Sequence, residues 1–160
     1  DASAPDGGDG GFIETSAARV KVADGARITT LAPKGKTGTW LIDPHDYTIA
    51  ASGGDITGTA LSNNLSTTDV TILSSNGSAS GNGDINVNDA VSWSANNLTL
   101  TAARNININA VMTASGTSTL TMKTGAGGDE SECRRLQGEG YLRSNRYRIP
   151  HHQRPRVHRR

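Results

Sequence analysis

Four aspartates and one histidine are the residues whose types and spacing could carry a reaction. Asp43 and Asp46 flank Pro44-His45, and Asp84 and Asp89 flank Ile85-Asn86-Val87-Asn88. Glycoside cleavage needs two carboxyls about 5–10 Å apart across a sugar, one of them with a raised pKa. Neither aspartate pair recurs as a cluster of acids and bases on neighbouring repeats, so neither carries that chemistry on spacing alone. For Asp43 the plainer role is to shape the turn before Pro44. His45 has no second His or Cys near it in sequence; the next are Cys133 and then His151, His152 and His158. Three histidines in an Arg-rich tail do not make a ligand set of defined geometry. We therefore assign no catalytic residue, no metal ligand and no cofactor site.

Other short motifs are equally thin. Gly81-Asn82-Gly83-Asp84 resembles one unit of a calcium-binding glycine–aspartate repeat, but such sites need a tandem nonapeptide period and only one copy occurs. Gly7–Gly11 lacks the strand before and the helix after that a phosphate loop requires. Asn64, Asn76 and Asn97 open N-x-S/T sequons and are candidate glycosylation acceptors, in a chain rich enough in Asn, Ser and Thr to produce them by chance.

The elements that must position these residues are short and alternating. Arg19–Ala23, Arg27–Leu31, Tyr47–Ala50, Val70–Leu73, Asp84–Asn88, Leu98–Thr101, Asn105–Asn109 and Leu120–Lys123 each place apolar residues on one side and Thr, Asn or Lys on the other. That period of two is the mark of half-buried strands. A single helical turn fits Ala60–Leu65, where Leu61 and Leu65 are four apart. The expected class is all-β. Trp40 and Trp93 are expected to be buried, as scarce large apolar groups in a chain with 4% aromatics.

Repetition speaks to how the strands associate. Asp84–Asn88 (DINVN) recurs as Asn105–Asn109 (NININ) at an offset of 21, and Leu98-Thr99-Leu100 recurs as Leu120-Thr121-Met122 at an offset of 22. Tyr47-Thr48-Ile49 and Val70-Thr71-Ile72 stand 23 apart and share one form. Like strands stacking in parallel coils of about 21–23 residues would set Ile85 on Ile106 and Val87 on Ile108 inside. Asn86 would then lie on Asn107, and Asn88 on Asn109, in amide ladders outside. An antiparallel sandwich is the alternative.

Composition agrees with a thin core. Hydrophobic residues are 34% of the chain, and 59 of the first 128 residues are Thr, Ser, Asn or Gly. The net charge of +1 conceals −4 over residues 1–128 and +5 over residues 129–160, where nine Arg appear and Thr vanishes. A β-helix segment over 1–128 and a disordered or non-native tail over 129–160 are expected, since the tail lacks the apolar area to offset ordering. A basic arm for nucleic acid is the competing reading of the tail and is not the one expected. One Cys permits no intrachain disulfide, and no apolar run approaches the length of a membrane helix. The opening DASAPDGGDGG reads as the interior of a longer protein.

Gly10–Ala17 (GGFIETSA) and Trp40–Ala51 (WLIDPHDYTIAA), followed by the repeats from Ser80 to Gly116, carry a resemblance over roughly residues 7–125. They resemble the large exoproteins of bacterial two-partner secretion, such as filamentous haemagglutinin and the high-molecular-weight adhesins. The resemblance implies a right-handed parallel β-helix and a secreted or outer-surface location. It implies export by an outer-membrane transporter that recognises an upstream domain absent from this chain. The function so implied is structural: an adhesin shaft contributing to host-cell or glycan binding, and no enzyme. A carbohydrate-binding or carbohydrate-cleaving β-helix domain is the alternative.

Overall fold

The computed structural model describes residues 1–75 and 81–125, together with the backbone of three strands between 134 and 148. In chain order the elements are β1 (Phe12–Ser16), β2 (Thr39–Asp43), β3 (Tyr47–Ile49), α1 (Gly58–Asn64), β4 (Asp69–Ser74), β5 (Ile85–Val87) and β6 (Val91–Trp93). They continue with β7 (Asn97–Ala102), β8 (Ile106–Ile108), β9 (Met112–Ala114), β10 (Thr119–Thr124), β11 (Arg134–Gln137), β12 (Gly140–Leu142) and β13 (Tyr147–Arg148). The protein is mainly β, with one short helix.

The strands form three sheets. The largest runs β1-β2-β4-β7-β10-β11, the second β13-β8-β5-β3 and the third β12-β9-β6. From β1 to β10 every strand pairing is parallel. From β4 to β10 the chain visits the first, second and third sheet in turn, then returns to the first one position further on; before β4 no strand lies in the third sheet. Inward residues of all three sheets make one apolar cluster, including Trp40, Ile42, Tyr47, Ile49, Val70, Ile72, Ile85, Val87, Leu98, Leu100, Ile106 and Leu120. In-register pairing sets inward residues beside inward residues, so alternation is kept from strand to strand.

The register expected from the repeats holds. Ile85 pairs with Ile106, Asn86 with Asn107 and Val87 with Ile108, while Leu98 pairs with Leu120 and Leu100 with Met122. Earlier circuits depart from the 21–23-residue spacing. Tyr47 pairs with Ile85 and Trp40 with Val70, which pairs in turn with Leu98. These steps are longer because α1 and the segment after β4 are inserted between like strands. Tyr47–Ile49 and Val70–Ile72, alike in sequence, lie in different sheets and do not stack on one another.

Two expected strands, Arg19–Ala23 and Arg27–Leu31, do not form. Their backbones bond at separate points, Val22 N–H to the Asp55 carbonyl and Thr30 N–H to the Thr67 carbonyl, because the neighbours on offer are turns. Val20 is nevertheless buried. The helical turn expected at Ala60–Leu65 is α1. Its N-cap is Thr57, whose Oγ1 accepts the Ala60 N–H at 3.1 Å, and Leu61 and Leu65 point into the core. At Gly58 any Cβ would stand 2.0 Å from the Ala90 carbonyl oxygen, so only glycine lets α1 approach the next layer this closely. Trp40 and Trp93 are both buried.

Most of the tail lies outside the described residues. Within it, β11, β12 and β13 pair antiparallel with β10, β9 and β8, one on each sheet.

Candidate functional site

Polar side chains stand in columns on the outer faces, set by the same register that stacks the core. On the second sheet Asn107 Nδ2 donates to Asn86 Oδ1 at 2.8 Å, and Asn109 Nδ2 to Asn88 Oδ1 at 2.7 Å. An amide carries a donor and an acceptor, so stacked identical amides satisfy one another without a second residue type. On the first sheet Asn97 Nδ2 donates to both oxygens of Asp69, and Thr119 Oγ1 donates to Asn97 Oδ1.

Aspartates hold one layer to the next. Asp46 Oδ1 accepts the N–H of Asn82 at 2.9 Å and of Asp84 at 2.8 Å. Asp55 Oδ2 accepts the Thr48 N–H, Asp69 Oδ1 the Asn97 N–H and Asp89 Oδ2 the Gly58 N–H. Asp84 takes the ion pair with Arg104 and also accepts from Asn105, through its backbone N–H at 3.1 Å and its Nδ2 at 3.2 Å. Three of these aspartates, Asp46, Asp69 and Asp84, stand at or just before the first apolar residue of a strand. There backbone N–H groups of the neighbouring layer emerge unpaired and a carboxylate can take them.

Three of the residues that could have carried a reaction, Asp46, Asp84 and Asp89, are engaged in this scaffold. The Arg104 hydrogen bond holds the Asp84 carboxyl below the usual carboxylate range, outweighing partial burial. A general acid needs the opposite shift. Asp46 and Asp89 accept from backbone N–H groups, and the backbone N–H of His45 donates to the Ala18 carbonyl at 3.3 Å. Asp43 sits half-buried at the end of β2, with Oδ1 shielded and without a partner. Among the described residues no group of three or more His, Cys, Asp or Glu is placed to hold a metal ion.

The sequons separate. Asn64 is 3% exposed; its Oδ1 accepts the Ile28 N–H at 2.7 Å and its Nδ2 donates to the carbonyls of Ala26 and Ala60. A buried amide with both ends engaged is closed to a glycosyltransferase acting on the folded chain. Asn97 is exposed, though its amide is held by Asp69. Asn76 lies outside the described residues. Sequence reasoning missed the bridging work of Asn64, Asp55 and Asp69; only the placing of an Asp against the first apolar residue of a strand could have signalled Asp69.

No family model, curated protein or solved structure matches the chain.

Proposed function

We propose that the chain is a right-handed parallel β-helix segment serving as a structural shaft of a bacterial surface adhesin similar to the two-partner secretion exoproteins. The observation that carries the reading is the stacking itself: like residues ride on like residues, inside as an apolar column and outside as Asn ladders and Asp staples. Such a structure lengthens by adding circuits and gains a repetitive outer face, which suits a rod that displays a binding surface. Right-handedness is the sense favoured when twisted parallel strands are joined by crossovers. In this reading the chain is secreted or held at the outer surface. The outer-membrane transporter acts on a domain outside this chain, and the outward partner is a host receptor or glycan.

The reading is of a binding and structural element and not of an enzyme, because Asp46 and Asp89 are engaged by backbone N–H groups and Asp84 by Arg104 and Asn105, which leaves Asp43 without a second free carboxyl among the candidates. Purified chain should not cleave pectin, glycosaminoglycan or other anionic polysaccharides. Its attachment to cells or glycans should survive each single alanine replacement of Asp43, His45, Asp46, Asp84 and Asp89. Cleavage that disappears with one of those replacements would favour the carbohydrate-cleaving alternative.

A further inference from the structure

The two ends of the strand stack are finished differently. At one end β11, β12 and β13 lie antiparallel on β10, β9 and β8, so each sheet receives a strand from the tail. At the other end β1 borders the largest sheet with one edge unpaired. The Thr39 N–H bonds to the Gly11 carbonyl and the Ala17 N–H to the Asp43 carbonyl. In a parallel ladder that phase turns the backbone of residues 13 and 15 toward β2 and that of Phe12, Glu14 and Ser16 toward the open edge. Phe12 is 59% exposed, and Ile13, Val22 and Ile28 pack on the core while only partly covered.

We propose that the tail strands are a displaceable cap, and that the edge they cover is a docking edge for the β1 end of a second copy of this chain. The edges of β10 and β1 are the two halves of one parallel ladder, each with apolar residues inward: Leu120 and Met122 on one, Ile13 on the other. Charge favours the same pairing. Residues 1–18 carry Asp1, Asp6, Asp9 and Glu14 and no Lys or Arg, whereas residues 105–125 carry Lys123 and no acid, Arg104 just before them being paired with Asp84. The tail, at +5 over residues 129–160, is like-charged with the end it covers, so an acidic β1 end competes for that edge. A contact between unlike edges does not close on itself, and copies joined this way form an open fibre. The inference stands on strand pairing and charge and does not rest on the adhesin reading.

The test compares three full-length chains by sedimentation and electron microscopy at low and high salt. Wild type should be monomeric. Arg135→Pro with Leu136→Pro removes a ladder donor from β11 whichever of the two faces β10. That variant should keep its far-ultraviolet β signal and show a mass climbing with concentration to multiples of the monomer, as elongated particles that shorten at high salt. Adding Glu14→Pro blocks the open edge of β1 while sparing its bonds to β2, and should restore the monomer. A monomeric or unfolded uncapped variant, or assemblies indifferent to Glu14→Pro, would overturn the proposal.

Discussion

The Tyr47 hydroxyl is fully buried without a hydrogen-bond partner, and desolvation, aided by the Asp55 carboxylate, pushes its pKa far up. A buried unpaired hydroxyl costs about 1–3 kcal/mol. Tyr47→Phe should therefore raise the melting temperature, and a fall would mean that the hydroxyl is engaged. Asp84 gives a pH test. Its folded pKa is depressed, so its contribution is present above the ordinary carboxylate value and is lost as pH falls through the folded one. Asp84→Asn should melt below wild type near neutrality, and the gap should shrink as pH falls below the ordinary carboxylate range. A third comparison checks the register. Ile106 is 1% exposed and stacks on Ile85, whereas Asn107 faces outward. Ile106→Asp should cost several kcal/mol, on the order of the whole stability of a thin core. Asn107→Asp loses one ladder bond, about 1 kcal/mol. Equal losses would contradict the register.

At the scale of elements, α1 is too short to be stable alone, at seven residues. It is held by its Thr57 cap, by the Asp89 carboxylate on the Gly58 N–H, and by Asn64 clasping the segment 26–28. Asn64→Ala would leave the Ile28 N–H and the Ala26 carbonyl without this partner, a loss of about 2–4 kcal/mol if both stay buried. Thermal melting should show a drop larger than that of Asn97→Ala, whose bonds to Asp69 are exposed and exchange for water. Equal drops would place Asn64 outside the clasp.

On the proposed β-helix reading, β7 to β9 form one circuit with a near-equivalent neighbour on each side, and stability there should be nearly a sum of neighbouring layers. Leu98 and Leu120 occupy equivalent positions in adjacent layers. Joining Asn97 directly to Leu120 removes one full circuit while keeping every inward residue inward. The shortened chain should keep a cooperative melt, with a lower midpoint and an unchanged β signal per residue. Cutting one residue more or fewer flips the downstream alternation and should abolish folding. Comparable melts for the in-phase and out-of-phase deletions would refute the layered description.

Sequence alone determined the inward faces of the repeats. Ile85, Val87, Ile106 and Ile108 alternate with Asn, and an offset of 21 stacks them, because a period of two admits a single buried side and identical neighbours favour a shared register. The burial of Trp40 and Trp93 was legible from their size in a chain with few large apolar groups, and the turn at Leu61–Leu65 from a spacing of four. Other features were decided only in three dimensions. Tyr47 stacks on Ile85 across 38 residues, since an inserted helix and loop erase the repeat without disturbing the sheet. Asp46, Asp84 and Asp89, three of the four candidate acids, became staples, because which backbone N–H is left unpaired depends on where each neighbouring layer begins. The strands β11, β12 and β13 were unreadable, since the tail was expected to be disordered or non-native and lacks the alternation of the repeats; the edges they meet decide both their pairing and its antiparallel sense.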